Sequence, residues 1–177
     1  MKLSTRDLAS IALFTAIIAV MAQIIIPMPY GVPMTLQTLA VPLAGMVLGS
    51  KKGTISTLLY VLLGAVGAPV FAGMTGGLGV VIGRTGGFIL SFPAVALLAG
   101  LGAETGNRWR LAIGLAAGAA ANYLCGTVMF AAIAGTGLYA AFAACVLPFI
   151  PTAVIKIVLS GILGIQIKLR IRRSDKP

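Results

Sequence analysis

The sequence predicts an all-α integral membrane protein: six transmembrane helices in one domain over residues 1–177, both termini cytoplasmic, with a glycine-rich extracellular loop between the third and fourth helices. Three observations predict it. Of 177 residues, 59% are hydrophobic and 9% charged, with a mean hydropathy of +1.09, which lies outside the soluble range. Apolar segments of spanning length follow one another with short breaks, and basic residues gather at every second break. Each crossing takes about 20 apolar residues, so six use about 120 and leave no room for a soluble domain.

The first span covers residues 8–26 and ends at Pro27; without a small-residue cleavage site it reads as a retained helix, not a signal peptide. Hydropathy marks the next four at 33–50, 53–72, 85–103 and 111–134. The last apolar stretch, 138–167, exceeds one crossing and is broken by Pro148 and Pro151. It divides into a short helix or loop at 138–147 and a sixth span at 148–169, because proline suits a helix's first turn. In the first span Ala12 and Ala16 stand four apart, with Ala9 and Ala19 nearby, forming a smooth face for close helix packing.

Eleven of the 13 basic residues fall on one side: Lys2, Arg6, Lys51, Lys52, Arg108, Arg110, Lys168, Arg170, Arg172, Arg173 and Lys176. Positive charge collects in the cytoplasm, so the net charge of +10 reports topology and gives no reason to expect nucleic acid. Trp109 between two arginines fits an interfacial anchor, and the C-terminal basic cluster suits anionic lipid.

Much chemistry is excluded. There is no histidine, and the acids are Asp7, Glu104 and Asp175, all at span edges, so general acid–base catalysis has almost no participants in the membrane. Gly49-Ser50-Lys51-Lys52-Gly53-Thr54 has the wrong order for a phosphate-binding loop, so the chain does not hydrolyse ATP itself. Cys125 and Cys145 sit in apolar stretches and read as buried small hydrophobes; neither a metal nor a cofactor is expected.

The uncharged side holds residues 73–87, seven of whose fifteen residues are glycine. Irregular backbone near a membrane is tolerated where protein or a watery cavity surrounds it. Its apolar members Leu78, Val80, Val81 and Ile82 call for burial, so the segment reads as a packed loop that lids a cavity. Lys156 lies about 12 Å inside the outer end of the sixth span at 1.5 Å per residue. No intramembrane carboxylate answers it, so it either faces a cavity whose ligand brings a carboxylate, or snorkels or meets backbone carbonyls. Arg84 at the outer mouth either receives an anion or is a solvated interface residue.

The fifth span carries Gly114, Gly118, Asn122 and Gly126 at intervals of four, a groove of small residues containing one amide. Asn122 either bonds a neighbouring helix or points into the cavity with Lys156. Thr35, Gln37 and Thr75 are further polar candidates, and Tyr30, Phe71 and Tyr123 candidate aromatic wall.

Four segments carry a resemblance: Val32-Pro33-Met34-Thr35-Leu36-Gln37-Thr38-Leu39; Gly67-Ala68-Pro69-Val70-Phe71-Ala72-Gly73; Gly76-Gly77-Leu78-Gly79 through Thr85-Gly86-Gly87-Phe88; and Leu147-Pro148-Phe149-Ile150-Pro151 through Lys156. Together they resemble the BioY family, the biotin-binding S components of energy-coupling factor (ECF) transporters. The resemblance implies six helices in the cell membrane and a biotin site near the outer face, closed by the first and third external loops. It also implies an alanine face on the first helix, matched by Ala12 and Ala16, that docks a transmembrane coupling subunit served by paired ATPases. Two departures stand out. Where the family pattern reads Pro-Gly-Asp with lysine three positions after the Asp, this chain has Pro151-Thr152-Ala153 and then Lys156. Loss of the acid either weakens recognition of the ureido ring or shifts ligand preference. Arg84 stands where the family often has proline before Thr-Gly-Gly.

The sequence thus reads as a high-affinity biotin-binding subunit with Lys156 as principal charged contact. Its rivals are an S component for another carboxylate-bearing vitamin, favoured by Ala153, and a membrane scaffold without a ligand, favoured by the small-residue faces.

Overall fold

The computed structural model describes residues 3–28 and 31–174, with side chains described through Ile171. Tyr30, Lys2, Asp175 and Lys176, and the side chains of Arg172 and Arg173, lie outside the described residues. The chain is mostly helical. In order it forms α1 (Thr5–Ala22), a two-residue ribbon of β1 (Ile25–Ile26) and β2 (Met34–Thr35), α2 (Gln37–Leu48), α3 (Ser50–Ala65), α4 (Leu78–Val81), α5 (Gly86–Leu90), α6 (Phe92–Glu104), α7 (Arg108–Ala134), α8 (Leu138–Cys145), a 3-10 turn at Leu147–Phe149, and α9 (Ile150–Ser174).

Among the described residues four helical stretches are long and apolar enough to cross a bilayer: Thr5–Ala22, Gly86–Glu104, Arg108–Ala134 and Leu138–Ile171. The expected second and third spans are shorter than predicted. Residues 33–36 belong to the ribbon and its exit, so α2 has 12 residues. At the far end Gly67, at φ +106, and Pro69 stop α3 after 16 residues, since proline cannot continue the helical ladder. At 1.5 Å per residue these lengths are about 18 and 24 Å, less than the roughly 30 Å hydrocarbon core. The division of the last apolar stretch is observed as α8 followed by α9, with Pro151 near the start of α9.

Helix α6 packs on α2, α3 and α7; α1 lies against α2 and α3, and α9 against α2 and α7. Backbones touch because side chains are missing at the crossings. A Cβ on Gly45 would stand 2.0 Å from the Ala96 carbonyl oxygen, and one on Gly100 2.4 Å from Ser50 Cα. The small-residue groove of α7 has a similar use: Cβ atoms at Gly114 and Gly126 would meet Leu98 O at 2.5 Å and the Phe88 ring at 2.2 Å. Apolar burial centres on Ile18, Val41, Tyr60, Phe71, Phe92 and Ala96.

The charged end is tied by specific bonds. Ser4 and Asp7 form a capping box on α1, and Asp7 pairs with Lys52. Glu104 accepts from the Ser50 amide at 2.7 Å and its hydroxyl at 2.8 Å, capping α3 from the end of α6. One expectation fails for the cysteines: Cys145 is buried, but Cys125 is exposed on α7, where its main chain rather than its thiol faces Gly87.

Candidate functional site

At the end of the bundle opposite Lys51, Lys52 and Arg108, a cavity of about 270 Å³ opens among α2, α7, α9 and the segments around 31–38 and 71–85. Lys156, Asn122, Gln37, Thr35, Thr75, Phe71 and Tyr123 all line it. Arg84 does not: it is exposed in the turn between α4 and α5, while its neighbour Thr85 faces the cavity. A single step along a tight turn reverses the side chain's direction, so adjacency at the mouth did not carry Arg84 inside.

The polar groups are held by local chemistry. Antiparallel pairing of Ile25 with Thr35 and Ile26 with Met34 fixes the entry to α2. There the Thr35 hydroxyl donates to Gln37 Oε1 at 2.8 Å. Gln37 Nε2 donates to the Tyr60 hydroxyl, which donates onward to Val70 O at 3.1 Å. The Gln37 amide is thus oriented by a chain of bonds in a buried setting, where an unmade bond is costly. On the opposite wall Asn122 Nδ2 donates to Phe88 O at 2.8 Å and Ser91 Oγ at 2.7 Å. Both earlier alternatives for Asn122 therefore hold: it ties α7 to the α5–α6 junction and also lines the cavity.

Lys156 shows the same duality. Its Nζ donates to the Thr35 carbonyl oxygen at 2.8 Å and to Thr38 Oγ1 at 3.3 Å, so it meets a backbone carbonyl while lining the cavity. Both partners are neutral, and no carboxylate lines the cavity among the described residues. The positive charge is hydrogen-bonded without being balanced.

Phe71, 1% exposed, packs edge-on against Tyr60 with ring centroids 5.5 Å apart. Gly64 makes room for it: a Cβ there would lie 2.0 Å from Phe71 Cζ. The glycine-rich segment is folded, carrying α4 and the start of α5, but its apolar members divide. Val81 is buried, whereas Leu78 and Ile82 are exposed.

Sequence reasoning missed Phe88, Phe92, Phe149 and Thr38, which also line the cavity. Phe149, Phe88 and Thr38 stood in quoted segments, and Phe92 follows the break between α5 and α6 at Ser91, which Pro93 in the first turn of α6 marks in the sequence. Ala153 borders a second, much smaller void of about 30 Å³, shared with Lys156, Asn122 and Thr38 and almost wholly apolar.

The geometry has counterparts. The BioY family model matches residues 1–173. A probable biotin transporter BioY of Pyrococcus horikoshii is 40% identical over 154 residues, covering 87% of this chain and 91% of that one. The biotin transporter BioY of Rhodobacter capsulatus is 37% identical over 175 residues, covering 90% and 91%. The crystal structure of an S-component for biotin from an ECF-type ABC transporter superposes with a TM-score of 0.83 at 29% identity, over 93% of this chain and 90% of that one.

Proposed function

The chain belongs to the BioY family, and from that premise we propose how its own residues take up the vitamin. It is a multi-pass membrane protein and no enzyme: it is the substrate-binding S component of an ECF transporter and serves biotin uptake. Six crossings of the cell membrane within one domain, cytoplasmic termini and external loops at 27–36 and 73–87 complete our reading. The gathering of the basic residues on one side supports it.

The observation that carries the proposal for the site is the convergence of Lys156, Gln37 and Asn122 on one cavity walled by Phe71, Phe88, Tyr123 and Phe149. Ligand pockets are typically apolar with a few oriented polar groups, and about 270 Å³ suits a small vitamin. In our assignment the Lys156 ammonium takes the biotin carboxylate, the aromatic side chains take the apolar parts, and Gln37 and Asn122 meet the ureido group. Thr35 holds Gln37, and Thr75 belongs to the covering loop. Arg84 is left outside this assignment. Capture needs no ATP; release against tight binding does, and the coupling subunit and ATPases supply it, with Ala12 and Ala16, both exposed on α1, as the docking face.

Calorimetric titration of the purified protein with biotin and with biotin methyl ester tests this reading. Tight binding that weakens on esterification is expected; folded protein that ignores biotin overturns it. The void beside Ala153 favours a second reading, another carboxylate-bearing vitamin with a slightly larger head, and a vitamin panel in the same titration separates the two.

A further inference from the structure

One polar residue outside the cavity is engaged more heavily than any of those lining it. Gln23 immediately follows α1, at φ −82 and ψ −13. Its Nε2 lies 3.0 Å from Ala19 O, 3.1 Å from Phe71 O and 3.3 Å from Val70 O, and its Oε1 accepts from the Met74 amide at 2.9 Å. A glutamine amide has two N–H donors and one carbonyl. Here the donors serve both its own helix and a loop that follows some 50 residues later, and the acceptor returns to that loop.

The loop depends on these bonds. Met74, at φ 56, is the one non-glycine residue in the left-handed region among the described residues, and it follows Gly73 at φ 70. L-residues adopt that conformation when surrounding contacts over-determine it. The Met74 amide it presents is the one Gln23 accepts. The reversal also brings the Phe71 amide to Thr75 O at 2.9 Å, while the Thr75 hydroxyl donates to Ala72 O at 2.9 Å. Phe71, Ala72 and Thr75 are the loop's cavity-lining residues. Gln23 therefore grips the main chain at the residue whose ring forms the wall and at the turn that orients the rest.

We propose that Gln23 is a positioning residue for ligand retention: it fastens the covering segment 70–75 to the end of α1 and so sets how slowly a bound ligand leaves. Its amide does not line the cavity. The inference rests on the biotin-binding reading for its kinetic half and is independent of it for its structural half.

The test uses the full chain in lipid nanodiscs, as wild type, Gln23→Leu and Gln23→Glu. The leucine removes every amide bond at similar size; the glutamate keeps an acceptor for Met74 and loses the donors to Val70 and Phe71. Biotin dissociation is expected to accelerate by about tenfold in Gln23→Leu, the size of effect that follows from losing one or two hydrogen bonds, and by less in Gln23→Glu. In ligand-free protein, amide hydrogen exchange is expected to rise at Phe71 and Met74 while Ala96 in α6 stays protected. A residue that merely stabilises the bundle would raise exchange everywhere and lower the melting temperature without this localisation. Unchanged exchange at 71–74 overturns the tie, and raised exchange with unchanged dissociation overturns its role in retention. If Gln23→Leu does not fold, Gln23→Glu carries the same comparison. Wild-type protein that binds no biotin defeats the ligand reading alone, while exchange at 71–74 still decides the tie.

Discussion

The Lys156 ammonium donates to the main-chain oxygen of Thr35 across 2.8 Å, joining residues 121 positions apart. This bond ties α9 to the ribbon's exit and holds the cation at the cavity's edge, oriented for the ligand carboxylate of the proposed site.

Replacing Lys156 by methionine keeps most of the stem and removes the charge. Biotin affinity is expected to fall about 10- to 100-fold, since hydrogen bonds to charged groups contribute about 1.5–3 kcal/mol. The fold is expected to persist, because the Ser160 hydroxyl still donates to Leu39 O at 3.1 Å between α9 and α2. Calorimetry beside a thermal melt checks both halves, and unchanged affinity would remove Lys156 from the site.

Tyr60→Phe deletes the hydroxyl between Gln37 and Val70. The buried Gln37 amide loses its bond to the hydroxyl, at a cost of about 1–3 kcal/mol, while Val70 O keeps its bond from Gln23. A lower melting temperature and several-fold weaker biotin binding are expected together. A lowered melting temperature with full affinity would mean that the orientation of Gln37 is irrelevant to the ligand.

Two glycines of the same segment are expected to answer differently to alanine. At Gly87 the new Cβ would stand 2.2 Å from Cys125 O, against the backbone of α7. Overpacking of this kind costs about 1–3 kcal/mol, so Gly87→Ala should reduce folded yield in detergent. At Gly79 nothing lies within 4 Å, and alanine should be neutral or slightly stabilising in the short α4. Equal tolerance at both positions, seen by fluorescence-detected size exclusion, would argue for an unpacked linker.

Leucines at Ala12 and Ala16 enter an exposed face of α1, so melting temperature and biotin affinity should hold. Co-purification with the coupling subunit, and uptake by cells, should drop at least tenfold if this face is where that subunit packs closely. Intact uptake by the double variant would move the docking face elsewhere.

What was legible in the sequence was what repeats or is out of place. The four-residue spacing of Gly114, Gly118, Asn122 and Gly126 announced a groove, and α5 and α6 lie in it. Lys156 was conspicuous because a lysine in an apolar helix is costly and needs a reason. The true lengths of α2 and α3 were hidden, because residues 33–36 and 66–72 are as apolar as a helix yet leave it through ribbon pairing, Gly67 and Pro69. Tyr60 and Gln23 were invisible for a different reason. Tyr60 acts through the Gln37 side chain and Val70 O, Gln23 through Val70 O, Phe71 O and the Met74 amide, and such meetings exist once the fold has formed.

Helix α1 connects features that were described separately. Its 18 residues make a rod of about 27 Å. The exposed alanines lie along it; beyond its end Gln23 reaches one cavity wall, and β1 pairs with the strand that forms the other. A tilt of this rod reaches both walls at once. If a partner seats on the alanines and tilts the rod, occupancy of the cavity and seating of that partner share one coupling free energy. By thermodynamic reciprocity, whatever factor a seated partner takes from the vitamin's affinity, the bound vitamin takes from the partner's.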